Sequence, residues 1–156
     1  MKNKVQLPNV YNCSKKNVLV FILFCTCCLS SHAQKMKKYL HKELRTEVAT
    51  VCEETPDDNP CAGSTIYLAL WFDKKQVQVS EKEVSTCDQE SIYNIGTYTW
   101  KLLPNKEIKI DFDPNRIKGT YAEGLSLKLR DKQLIGYITY INGEVGEYAF
   151  KEKEKR

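Results

Sequence analysis

Few residues in this 156-residue chain have the type and spacing that chemistry requires. His41 stands among Lys35, Lys37, Lys38 and Lys42. A Cys–His nucleophile would need it within hydrogen-bond reach of a thiolate, and no local motif puts it there. A solvated surface histidine is the expectation. Cys52, Cys61 and Cys87 with His41 reach the ligand number of zinc but lack the paired knuckle spacing of a structural site. Glu53, Glu54, Asp57, Asp58 and Asn59 offer hard oxygens of the kind calcium takes, and Asp111, Asp113 and Asn115 look like the opening of a calcium loop. Arg116 and Ala122, however, stand where that loop needs a glycine and a bidentate glutamate. As an acid–base pair, Asp111 and Asp113 fail on direction. Ile108, Ile110 and Phe112 claim the core side of a strand, so the aspartates face the other way. The expectation is no catalytic residue, no metal, no cofactor and no enzyme.

The aromatic set has more pull. Tyr67, Trp71, Tyr93, Tyr98, Trp100, Tyr121, Tyr137, Tyr140 and Tyr148 are many for one small domain. Strands favour such residues. A small barrel either fills its interior with them or holds one small ligand. Tyr98, Trp100 and Leu102 share one strand face and, with Trp71, are the candidate ligand-binding residues. Nucleic acid is not expected, because an aromatic platform for bases needs a basic groove beside it.

The charge balance supports that exclusion. Lys2, Lys4, Lys15 and Lys16 precede an apolar run from Val18 to Leu29 and the small-residue site Ser31-His32-Ala33. A basic start, a short apolar stretch and an A-x-A-like end read as a secretory signal peptide over 1–33, cleaved before Gln34. The run is shorter than the roughly 20 residues that span a bilayer, so the mature protein is not expected to be integral to the membrane. Lipid attachment at Cys25, Cys27 or Cys28, or an uncleaved signal anchor, is the alternative. The chain carries 24 basic and 20 acidic residues; without the four leader lysines the two balance at 20 each. Outside the cytoplasm a pair among Cys52, Cys61 and Cys87 should oxidise. Cys52 with Cys61 would close the acidic loop between them, worth about 2–3 kcal/mol, and leave Cys87 as the odd thiol.

The elements that position these residues are mostly short strands. Residues 34–45 are helix-like, with Met36, Tyr39, Leu40 and Leu44 at helical spacing. Strands are expected over 46–52, 65–72, 76–84, 92–103, 108–112, 117–121, 125–129, 134–141 and 145–150, before a charged tail over 151–156. Turn signals separate them: Asp73-Lys74-Lys75, Pro104-Asn105, Pro114-Asn115, Asp131-Lys132, and Asn142-Gly143 as a type I′ hairpin. Eight or so evenly spaced strands predict an all-β antiparallel meander closing into a barrel, which removes exposed edges. A two-sheet sandwich is the alternative. Residues 34–156 form one domain.

Leu70-Trp71-Phe72-Asp73-Lys74-Lys75-Gln76-Val77, then Gly96-Thr97-Tyr98-Thr99-Trp100, then Leu125-Ser126-Leu127 and Leu134-Ile135-Gly136, give an order that resembles bacterial lipocalin-like exported proteins over roughly Ser64 to Lys151. The resemblance implies an up-and-down barrel with room for an interior ligand, and carries over no catalytic residue. The Gly-x-Trp of a typical lipocalin first strand is missing. The functional expectation is an exported, non-enzymatic binding protein holding a small apolar or amphipathic ligand. The alternative is an interaction module for an envelope protein, such as an adaptor or inhibitor.

Overall fold

The structure is a computed structural model that describes residues 36–52 and 62–153. The stretch expected to be a signal peptide, the acidic loop from Glu53 to Cys61 and the end of the charged tail lie outside the described residues. Eight antiparallel strands follow in chain order: β1 (Glu43–Val51), β2 (Ser64–Phe72), β3 (Gln76–Ser85), β4 (Glu90–Leu102), β5 (Glu107–Ile110), β6 (Leu125–Arg130), β7 (Gln133–Thr139) and β8 (Val145–Glu152). Each pairs with its neighbour, and β1 pairs with β8, so the meander closes into a barrel. Two seams are short. The paired residues are Leu44↔Glu152 and Arg45↔Lys151 between β1 and β8, and Glu107↔Lys128 and Ile108↔Leu127 between β5 and β6.

Strand alternation builds the interior. Leu68, Leu70 and Phe72 are fully buried, and the register sets Leu70 between Leu44 and Val79. Val77, Ile108, Leu127, Leu134 and Phe150 extend this core around the barrel. Gly136 belongs to the packing: a Cβ there would come within 2.7 Å of the Phe150 ring. These side chains form one buried apolar cluster in the interior.

Two expectations about elements are corrected. Of the described residues in 34–45, only Met36 and Lys37 are helical: Tyr39 N–H donates to Met36 C=O at 3.0 Å in a turn, and the chain is strand from Glu43. A short isolated helix has little stability of its own. The same apolar residues instead plug one barrel end, with Met36, Tyr39 and Leu44 all buried. The strand expected over 117–121 is absent. Pro114–Ile117 form a single helical turn, α1, because Asp113 caps Asn115 N–H at 2.9 Å and Pro114 suits the first helical position.

The turns also differ. Asn142-Gly143 is not a type I′ pair. Tyr140 and Glu144 bracket a three-residue loop in which Gly143 has φ +82°, whereas Asn142 is not left-handed. The two-residue turn with both central φ values positive is Asp131-Lys132, at +50° and +66°. The Lys132 carbonyl accepts from Tyr39 Oη at 2.6 Å and from Lys38 Nζ, so the end plug holds this strained turn.

Candidate functional site

The structure separates the four candidate ligand residues. Tyr98 faces inward, 6% exposed, with its ring edge against Phe112 at 5.1 Å and its hydroxyl directed at Ile95 C=O. Trp100 stands edge-on to Phe72 at 5.3 Å, and its indole N–H donates to Asp73 C=O at 2.9 Å and Gln76 C=O at 3.1 Å. The one polar atom of that ring is therefore spent on the β2–β3 turn. Leu102 packs partly buried against the same core. These three support the barrel wall. Trp71 lies one residue from Phe72, on the opposite face, and is 44% exposed.

Trp71 lines a cleft of about 970 Å³, open to solvent, together with Glu43, Arg45, Glu90, Glu152 and Lys153 among others. The register sets Glu43 and Gln78 on either side of Trp71 along one outward row. Lys82 shares that outer face. Although lysines are rarely buried unpaired, it is 7% exposed, because its Nζ meets Glu43 Oε2 at 2.8 Å and Glu90 Oε1 at 3.1 Å. Lys153 holds the other Glu90 oxygen at 2.7 Å, and Lys42 pairs with Glu152 at 2.7 Å. Lys153's hydrogen bond, with further help from Lys82, keeps the Glu90 carboxyl below its usual range against the opposing effect of burial. Burial by itself would lower the Lys82 pKa, but the hydrogen bonds that Lys82 donates to Glu43 and Glu90 and their charges outweigh it and raise it. Glu43 Oε1 is buried and has no hydrogen-bond partner among the described residues.

A second cluster lies at the other end of the barrel. The hydroxyls of Tyr140 and Tyr148 are in contact, and the Tyr148 pKa is pushed up to about 12, first by that hydrogen bond and then by burial. Glu81 accepts from Tyr121 N–H at 2.6 Å. A cleft of about 310 Å³ opens beside Tyr121, Ile138, Tyr140 and Ile141. The Tyr148 phenol is held neutral at ordinary pH, which suits hydrogen bonding rather than nucleophilic attack.

The remaining candidates have structural roles. His41 is an exposed turn residue, 3.7 Å from Asp73 and at the opposite end of β1 from Cys52. Asp111 accepts from Thr99 Oγ1 at 2.9 Å, and Asp113 caps α1. Among the described residues no group of three or more His, Cys, Asp or Glu is placed to hold a metal ion. The disulfide expectation is corrected. Cys52 is exposed and free, and Cys87 is the disulfide-bonded cysteine, with its partner outside the described residues. Strand register explains the change. Thr86 N–H donates to Gly63 C=O at 3.2 Å and its hydroxyl to Ala62 C=O, which carries Cys87 toward the start of β2 and leaves Cys52 on the other side of that strand.

Sequence reasoning missed Lys82, Glu43 and Glu90. Their pairings join residues 39 and 8 apart, and no local pattern announces them. It also missed Gly146-Glu147-Tyr148, which repeats the spacing of Gly96-Thr97-Tyr98. In both, a Cβ on the glycine would fall within 3 Å of the tyrosine ring or hydroxyl, so the glycine makes room for the aromatic. No protein-family model matches the chain, and no curated protein or solved structure does either.

Proposed function

We propose that this is an exported, non-enzymatic binding protein that grips a partner polypeptide in the Trp71 cleft on the outer face of the barrel. The observation that carries the reading is the contrast between an interior of buried apolar side chains and an exposed tryptophan in a wide open cleft. A solvent-facing Trp in a concave site is a common anchor of protein interfaces. The lipocalin-like resemblance then bears on barrel topology, while ligand capture moves from the inside of the wall to the outside. The Cys87 disulfide fits an oxidising compartment.

Photo-crosslinking tests it. A photoreactive residue replacing Gln78, beside Trp71, should trap a partner in the native envelope, and the same residue replacing Lys101 should not. Loss of the adduct on Trp71→Ala supports the reading; equal adducts at both positions would sink it. A second reading, a small amphipathic ligand at the tyrosine end, is favoured by the 310 Å³ cleft beside Tyr121 and Tyr140. Native mass spectrometry would reveal such a molecule, and Tyr140→Phe should weaken its retention.

A further inference from the structure

Independently of the Trp71 cleft, we propose that the start of β4, from Glu90 to Asn94, is a pairing edge. It takes β4 of a second copy of this chain, antiparallel about a two-fold axis at Ile92. Register opens the edge. β3 pairs with β4 from Glu90 to Thr99, whereas β5 pairs only with Trp100, Lys101 and Leu102. The β3–β4 register shifts between Val79 and Ser80, a bulge that leaves Ile95 unopposed and bends the strand. Ser85 N–H donates to Gln89 C=O at 2.9 Å, so alternation makes Glu83–Ser91 and Glu81–Tyr93 hydrogen-bonded pairs. Glu90, Ile92 and Asn94 therefore turn their backbone N–H and C=O groups away from β3, to the open side. Among the described residues no strand is paired there and no hydrogen bond reaches those groups.

A row of alternating donors and acceptors is matched by another extended backbone. Proteins commonly protect such an edge with lysine or proline, and Glu90-Ser91-Ile92-Tyr93-Asn94 has neither. Every one of these residues is exposed, Ile92 and Tyr93 at 60% each, and the two lie on opposite faces of the strand. The order of side chains makes the edge complementary to itself. Antiparallel pairing centred on Ile92 sets Ile92 against its own copy, Ser91 against Tyr93, and Glu90 against Asn94. The apolar pair then sits at the axis, and each Glu90 carboxylate faces an amide that can donate to it. Glu90 is the only charge on this edge, and Lys82 and Lys153 already neutralise it, at 3.1 Å and 2.7 Å. Two copies can therefore meet without opposing like charges, in the two-fold contact that is commonest among soluble oligomers. So short a ladder falls at the weak end of interfaces, under roughly 1,200 Å². The dimer forms and dissociates with concentration.

Sedimentation equilibrium of the purified protein, from about 10 μM to about 1 mM, tests this. The average mass should rise toward twice that of one chain. Ile92→Lys sets two ammonium groups against each other at the axis and should weaken self-association at least about tenfold. Ile92→Pro removes an N–H that faces the open side, so the monomer loses no ladder bond. It should weaken association similarly and leave the urea midpoint close to the parent's. A cross-link checks the register. With Cys52→Ser in place, Ile92→Cys should give a disulfide-linked dimer on mild oxidation, because hydrogen-bonded antiparallel partners have Cα atoms about 5.5 Å apart. Lys101→Cys, on the stretch of β4 already paired with β5, should not. Trp71→Ala should leave the association unchanged. Protein that stays monomeric over the whole range overturns the proposal, and so does a dimer that both Ile92 variants leave intact. Equal cross-linking at positions 92 and 101, or a dimer lost on Trp71→Ala, places the contact elsewhere and overturns it too. None of these outcomes removes the Trp71 cleft, which the Gln78 cross-link tests separately.

Discussion

Two rows of side chains cross β1, β2 and β3 one residue apart and do opposite work. Leu44, Leu70 and Val79 form the inner row, each 1% exposed or less. Glu43, Trp71 and Gln78 form the outer row, of which Glu43 and Trp71 line a cleft. The same ladder serves both, so the wall that is made rigid by packing inside holds its outer row in place. The proposed binding at the outer face therefore does not require a hollow interior; the packing inside is what gives the outer row a fixed geometry.

The sharpest way to break the comparison is to truncate one member of each row. Phe72→Ala deletes a fully buried ring and its edge contact with Trp100, and should lower stability by about 3–5 kcal/mol. Trp71→Ala, its neighbour, should lower it by less than about 1 kcal/mol and abolish the crosslink at Gln78. Urea melts of the two variants check this. Equal losses would mean that the two faces are not distinct.

The buried lysine beneath the outer row gives the next effect. Lys82→Met leaves Glu43 without its cation, while Glu90 keeps Lys153; the expected loss is about 3 kcal/mol. Its signature is in the pH dependence. The Lys82 pKa is raised above 10.5, so its contribution is whole below about that pH and is lost as pH rises through the raised value. The Glu90 pKa is lowered from 4.5, so its contribution is whole above that and is lost as pH falls through the lowered value. In Lys82→Met the alkaline loss should shrink and most of the acid loss should survive. Denaturation profiles from pH 3 to 11 would show it; an unchanged alkaline limb would remove Lys82 from the account.

Much of the inner row was legible in the sequence, because alternation is local: Ile66, Leu68, Leu70 and Phe72 against Tyr67, Ala69 and Trp71 follow from period two alone. The strand that failed, over 117–121, failed for a local reason as well, since Asp113-Pro114 is a helix start whose signal was read only as a turn. Trp71 was placed among the candidates, but grouped with Tyr98, Trp100 and Leu102, because face assignments within separate strands do not say which faces meet. The partners of Lys82 and Cys87 depend on register between distant strands, which no window of sequence contains.

Register is also where the smallest effect lies, and it bears on the whole comparison, since a one-residue slip would exchange the inner and outer rows of a strand. Tight turns set it. At the β6–β7 turn, Asp131 and Lys132 both hold left-handed backbone that costs a residue with a Cβ roughly 1 kcal/mol. Asn-Gly, the pair that suits this turn, sits instead in the β7–β8 loop, where only Gly143 is left-handed. Tyr39 supplies part of what the turn residues lack, by donating to the Lys132 carbonyl. Asp131→Asn combined with Lys132→Gly should therefore raise stability by about 0.5–1 kcal/mol, the relief of strain exceeding the entropy that glycine adds to the unfolded chain. In that background Tyr39→Phe should cost less than it does in the parent, where losing the hydrogen bond is worth about 1 kcal/mol. A double-mutant cycle by urea melts measures the difference. If the two changes simply add, Tyr39 packs the barrel end without supporting the turn, and the register of β6 and β7 is held by their side chains alone.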